Sequence, residues 1–96
     1  MQEWEVVNNL GLAEIDRTDQ QVELVYKNLP VPQIAQVEYL TQQEQSCCGP
    51  AGVSFEYETT DYGIKVCVKQ VKPSKASETV LAAIASMKRS SQYKVT

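Results

Sequence analysis

The residues with the clearest potential for chemistry are two adjacent cysteines and a glutamate one helical turn before them. Glu44, Cys47 and Cys48 stand at positions i, i+3 and i+4, so in a helix their side chains lie on the same side. Thiols are soft ligands suited to thiophilic metals, and a carboxylate or a third thiol can complete such a site. The spacing therefore predicts a site for a soft metal ion or a small ligand.

The same cysteines also have a purely structural interpretation. Free cysteine is among the most buried side chains, and either thiol fits a core as a small apolar group. The end of a helix carries partial negative charge, which disfavours a thiolate, and the chain has no histidine to act as a base. Glu44 stands where the apolar stripe calls for a hydrophobe, so its carboxylate is either solvated or buried with a partner. Core packing and ligand binding both stay open at this point.

A glycine-containing turn follows the cysteines directly. Gly49-Pro50 ends the helix, and Gly49 suits the left-handed conformation that closes many helices. Two glycines in this turn allow the backbone to approach a ligand closely. The predicted ligand-binding residues are Glu44, Cys47, Cys48, Gly49, Gly52 and Tyr57, of which Glu44, Cys47 and Cys48 would hold a metal.

The composition argues against several classes of function. Without histidine the chain lacks the usual general base, and it contains no catalytic motif, which disfavours an enzyme without excluding one. A formal charge of -3 argues against nucleic-acid binding. No apolar run approaches the roughly 20 residues that span a membrane. An acidic N-terminus and an odd number of cysteines predict a cytoplasmic protein with free thiols.

Hydrophobic periodicity predicts the elements that position the cysteines. In chain order they are strands at 10–16 and 21–27, a helix at 32–47, strands at 53–59 and 64–71, and a helix that begins at Ser74 or Ser77. Residues 1–9 and 90–96 are expected to be loosely ordered around a single domain of 96 residues.

This order of elements predicts an α+β fold. One-sided strands joined by short turns favour a four-stranded antiparallel sheet with two helices on one face, a two-layer sandwich of order ββαββα. The predicted core residues are Val22, Leu24, Ile34, Val37, Leu40, Phe55, Tyr57, Val66, Val68, Leu81 and Ile84.

The uncovered face of such a sheet is a second candidate surface. Strand alternation assigns Val25, Cys67 and Val71 to it. These residues predict a homodimer interface, with scattered exposed apolar residues as the alternative. A protein-interaction module of this kind, with purely structural cysteines, is the competing hypothesis to a ligand-binding protein.

The motif ExxCC at residues 44–48, followed by Phe55-Glu56 in the next strand, resembles the signature of a family of small bacterial proteins of unassigned function. In that family a helix ends in ExxCC, a proline and aromatic residues follow, and the next strand contains FE. The resemblance covers roughly residues 35–87. It implies a protein encoded by a lone gene, in an integron-type mobile cassette or near a metal-responsive regulator, with a heavy metal or small ligand as its cargo. Here the link Gly49–Gly52 is longer and lacks the aromatic residue.

Overall fold

The fold is built on an antiparallel sheet, seen in a computed structural model that describes residues 2–93. The elements are α1 (Gln2–Gly11), β1 (Leu12–Arg17), β2 (Gln21–Lys27), α2 (Val31–Cys48), a 3₁₀ turn (Gly49–Ala51), β3 (Val53–Thr60), β4 (Gly63–Gln70), α3 (Lys75–Ala85) and a second 3₁₀ turn (Ser91–Tyr93). The 4-stranded sheet has the order β1-β2-β4-β3, with every neighbouring pair antiparallel. The predicted α+β fold and its ββαββα order are confirmed, and an additional helix precedes them.

The two central strands, β2 and β4, supply the middle of the core. Their apolar residues alternate with polar ones, so that each strand presents one buried face and one face to solvent. The antiparallel register then places buried residues opposite one another, which joins the two strands into a single apolar surface. The facing pairs are Val22–Val68, Leu24–Val66 and Tyr26–Ile64.

The helices cover this apolar surface. Helix α2 packs against β3 and β4, and α3 packs against β1, β2 and β4. Val37 and Leu40 are buried on α2, and Leu81 and Ile84 are buried on α3, in each case one helical turn apart. Helix α2 is the longest, with 18 residues, yet no helix within residues 2–93 has both the length and the apolar character to cross a membrane.

The N-terminal segment is the main correction to the sequence prediction. Residues 1–9 were expected to be loosely ordered and residues 10–11 to begin the first strand, whereas residues 2–11 form α1 and the strand begins at Leu12. Trp4 and Val7 are 2% and 0% exposed, because their spacing of three places them on the helix face toward the core. Asn8 is buried on the same face, and a polar residue in that position hides the helical periodicity from a pattern search.

The C-terminal segment is also held to the fold as far as the structure describes it. Ser90 N donates to Leu12 O at 2.8 Å, and Asn28 Nδ2 donates to Tyr93 Oη at 2.9 Å. These bonds correct the prediction of loose order for residues 90–93. Residue 1 and residues 94–96, for which the same prediction was made, lie outside the described residues.

Two residues of the predicted core are less buried than expected. Tyr57 is 38% exposed although it lies opposite Val66, and hence on the helix side of the sheet. Strand β3 is an edge strand, and its first residues, Val53 and Phe55, lie buried while Tyr57 farther along does not. Ile34 is half-buried and packs against the margin of the core.

Candidate ligand site at the end of helix α2

The carboxylate of Glu44 connects two helices. Trp4 Nε1 on α1 donates to Glu44 Oε1 at 3.3 Å, and Cys48 Sγ donates to Glu44 Oε2 at 3.3 Å. Glu44 is half-buried, and Trp4 is almost completely buried. A carboxylate can occupy the apolar stripe of α2 here because each of its oxygens accepts a hydrogen bond.

The surroundings of Cys48 favour the protonated form of its thiol. Its side chain is half-buried and packs against the core. Burial, followed by the hydrogen bond and charge of Glu44 and then by Cys47, raises the pKa of the Cys48 thiol to about 12. Since the thiolate is the nucleophile, Cys48 acts near neutral pH as a hydrogen-bond donor rather than as an attacking group.

Cys47 differs from its neighbour in being exposed to solvent. Successive residues of a helix are about 100° apart, which turns Cys47 away from the core while Cys48 faces it. The Cys47 thiol still lies close enough to Cys48 to contribute to the raised pKa of Cys48. The structure thus brings Glu44 and Cys48 into contact and leaves Cys47 beside them at the surface.

The donor set near the cysteines is small. Within residues 2–93, no group of three or more histidine, cysteine, aspartate and glutamate side chains is arranged so that it could hold a metal ion. A thiophilic species at Cys47 and Cys48 would therefore be coordinated by the two thiols alone, or it would bring further ligands of its own.

The two glycines of the turn are explained by the conformation and contacts of the protein's own backbone. Gly49 has φ -51° and continues α2 into the 3₁₀ turn, so the prediction that it is left-handed is wrong. Gly52 has φ 93°, and a Cβ there would lie 2.7 Å from Lys72 O. Gly52 O also accepts from Val71 N at 2.8 Å and from Lys72 N at 3.0 Å. The close backbone approach at Gly52 is made by the segment that follows β4.

Tyr57 lies away from the Glu44–Cys48 pair. Gln42 Nε2 donates to Tyr57 Oη at 3.3 Å. Gln42 and Glu44 are two residues apart on α2 and point to different sides of the helix. A residue that the sequence analysis overlooked, Gln45, makes the link between α2 and β3, because its Oε1 accepts from Phe55 N at 2.6 Å.

The uncovered face of the sheet is dominated by charge. Val25 and Cys67 are half-buried there, and burial raises the pKa of the Cys67 thiol. Ion pairs surround them: Lys27–Glu14 (3.1 Å), Lys65–Glu23 (3.5 Å), Lys65–Glu58 (3.9 Å) and Lys69–Glu56 (3.8 Å). Val71 follows the end of β4 and is 68% exposed. A homodimer through this face stays a prediction, and it would have to accommodate these ion pairs.

A groove that the sequence analysis missed lies between α1 and the segment after α3. Its volume is about 430 Å³, and Trp4, Asn8 and Met87 are among the residues that line it. Trp4 therefore belongs to both features, since it lines the groove and its Nε1 donates a hydrogen bond to Glu44. A single tryptophan in a polar N-terminal segment was the available signal in the sequence.

Chemically, the site at the end of α2 offers one exposed thiol, one protonated thiol and one carboxylate that accepts from it. A set of this kind can bind a thiophile but has no histidine to activate a nucleophile. Comparison with family models, with curated proteins and with solved structures finds no match to this chain.

Proposed function

We propose that this chain is a small binding protein that holds a thiophilic species at Cys47 and Cys48, with Glu44 as the neighbouring carboxylate. The observation that carries the proposal is the 3.3 Å hydrogen bond from Cys48 Sγ to Glu44 Oε2, next to an exposed Cys47. No reaction is proposed, because the chain has no histidine to serve as the general base of a nucleophilic thiol.

Binding would begin at the exposed thiol. A soft cation bonds to Cys47 Sγ, and the proton of that thiol leaves to water. The proton of Cys48 then passes to Glu44 Oε2, its hydrogen-bond acceptor, as the second sulfur–metal bond forms. Glu44 finally releases this proton to solvent. Two S–H bonds break, two sulfur–metal bonds form and two protons are released, with no change in oxidation state.

The raised pKa of Cys48 supplies selectivity. In the free protein Cys48 stays neutral, since its pKa is raised to about 12 by burial and by Glu44. An ion must therefore bind sulfur strongly enough to displace a tightly held proton. Soft ions such as Hg²⁺ or Cu⁺ meet this requirement, whereas hard ions such as Mg²⁺ and Ca²⁺ prefer oxygen ligands.

The test is a titration of the reduced protein with Hg²⁺ under anaerobic conditions, followed by the ultraviolet charge-transfer band of the sulfur–metal bond. Cys47→Ser and Cys48→Ser should each weaken binding by about 100-fold or more, because one of two strong ligands is lost. Cys67→Ser is the matched control, since it removes a half-buried thiol on the other face of the sheet.

The competing hypothesis makes a different forecast for the same variants. If the cysteines only pack, Cys48→Ser buries a hydroxyl in place of a thiol and lowers the free energy of unfolding by about 1–3 kcal/mol. The proposed site would be refuted if Hg²⁺ binding were unchanged in Cys47→Ser and Cys48→Ser. It would also be refuted if Hg²⁺ binding were lost in Cys67→Ser. Thermal melts of each variant separate lost binding from lost stability.

A further inference from the structure

The groove beside α1 has the size and the lining of a small-molecule site. Its volume of about 430 Å³ falls within the range of about 300–1,000 Å³ that is usual for ligand pockets. Two almost fully buried residues, Trp4 at 2% and Asn8 at 4% exposed, are among those that line it. Glu5 on α1 and Met87 and Lys88 after α3 also line it. The groove is therefore apolar in part, with polar groups at defined places.

The side-chain amide nitrogen of Asn8 donates only one weak hydrogen bond within residues 2–93. Its Oδ1 accepts from Tyr26 Oη at 2.5 Å. Its Nδ2 carries two hydrogens, and within residues 2–93 the one acceptor for them is Met87 Sδ at 3.4 Å. A thioether is a weak acceptor, so the buried amide donor of a residue that lines the groove has only this weak hydrogen bond. An oxygen of a bound molecule would satisfy it.

The orientation of this amide is set by its surroundings. Tyr26 is fully buried, and burial raises the pKa of its hydroxyl, which therefore keeps its proton. Within residues 2–93 the amide oxygen of Asn8 is the acceptor for this hydroxyl proton, and accepting it turns Nδ2 toward Met87. In the opposite orientation the amide oxygen would face the Met87 sulfur with no hydrogen between them.

The charged residues of the groove are of opposite sign. Glu5 and Lys88 both line it, and neither belongs to an ion pair among residues 2–93. Their charges cancel, so the groove as a whole favours neither an anion nor a cation. The complementary ligand has no net charge but carries a negative and a positive group.

We propose that this groove binds a small zwitterion of the amino-acid type with an apolar body. Its carboxylate takes the free hydrogen of Asn8 Nδ2 and pairs with Lys88, and its ammonium group pairs with Glu5. The apolar body contacts Trp4 and Met87. This site is distinct from the thiols and does not depend on the function proposed for them.

The test uses three probes that share one apolar body and differ only in charge. Leucine is the zwitterion, isocaproate lacks its ammonium group, and isopentylamine lacks its carboxylate. Trp4 is the one tryptophan of the chain, so its fluorescence reports on the groove directly. Leucine should give a saturable change, with an affinity about 10-fold higher than that of either single-charge probe.

Variants of the lining identify the groove as the place of binding. Glu5→Gln should weaken leucine binding about 3- to 10-fold and remove the preference for leucine over isocaproate. Lys88→Gln should weaken leucine binding to a similar extent and remove the preference for leucine over isopentylamine. Glu3→Gln is the matched control, since Glu3 is also exposed on α1 but does not line the groove. These residues are at the surface, so the variants should keep the fold.

A further variant addresses the buried donor. Asn8→Asp keeps an oxygen for the Tyr26 hydroxyl and replaces the amide donor with an acceptor, and it should abolish leucine binding. If this variant does not fold, the Glu5 and Lys88 variants decide the matter. The absence of a saturable response to leucine, an equal response to all three probes, or equal losses in Glu3→Gln and Glu5→Gln would overturn the proposal. Cys47→Ser should leave leucine binding intact, so the two proposals fail independently.

Discussion

Replacing Glu44 with glutamine tests the carboxylate that joins α1 to the end of α2. Glutamine keeps the shape of the side chain but offers one oxygen, whereas Glu44 accepts from both Trp4 Nε1 and Cys48 Sγ at 3.3 Å. The amide oxygen should stay with Trp4, because an unsatisfied donor on a side chain 2% exposed is the more costly loss. The Cys48 thiol then loses its acceptor.

The expected cost follows from the kind of bond that is lost. Hydrogen bonds to a charged group contribute about 1.5–3 kcal/mol, against about 1 kcal/mol for neutral pairs. The Trp4 bond changes from charged to neutral and the weaker thiol bond disappears, so Glu44→Gln should lower the free energy of unfolding by about 1–2 kcal/mol. Urea denaturation followed by Trp4 fluorescence measures this quantity. Glu38→Gln, on the same helix and without an ion pair or side-chain hydrogen bond within residues 2–93, is the control.

Glu44→Gln should also change the pH at which the Cys48 thiol titrates. The pKa of Cys48 is raised from 9.0 in the free side chain to about 12, so this thiol stabilises the fold below pH 9 and the contribution is lost as the pH rises toward 12. Glu44→Gln removes the charge and should lower this pKa, although burial still holds it above 9. In a Cys47→Ser, Cys67→Ser background, thiolate absorbance should rise at lower pH in the variant. Identical titrations, or a stability loss no larger than that of Glu38→Gln, would refute the coupling.

Three further predictions concern the fold and its assembly. Leu40→Ala, at a residue 7% exposed, should cost about 2–5 kcal/mol in urea denaturation, and a cost below about 1 kcal/mol would mean that the helix face is misassigned. Gly52→Ala should cost more than Gly49→Ala by about 1–3 kcal/mol, because Gly52 has φ 93° and lies against Lys72 O; equal costs would contradict this account. If the uncovered sheet face forms a homodimer, Val25→Asp should yield folded monomers in sedimentation, and a wild-type protein that is monomeric at high concentration would end that hypothesis.

Local chemistry in the sequence was enough to predict most of the fold. Alternation in β2 and β4 places apolar residues on one face of each strand, and this pattern depends only on the period of two in a strand. The start of α3 was predictable in the same way. Ser74 Oγ accepts from Ser77 N at 3.1 Å, and Ser74 N donates to Ser77 Oγ at 3.0 Å, a cap formed within four residues. The site was predictable only in part: Glu44 and Cys48 meet because they lie one helical turn apart.

Tertiary structure decided the rest. Trp4 binds Glu44 across 40 residues of chain, and Asn8 binds Met87 across 79. Three features depend on these distant contacts: the position of helix α1, the pairing of the Glu44 carboxylate with Trp4, and the groove. Periodicity records which face of an element is apolar, but it carries no information on which other element will cover that face. A polar residue such as Asn8 is buried only because Tyr26, brought beside it by the fold, donates a hydrogen bond to it.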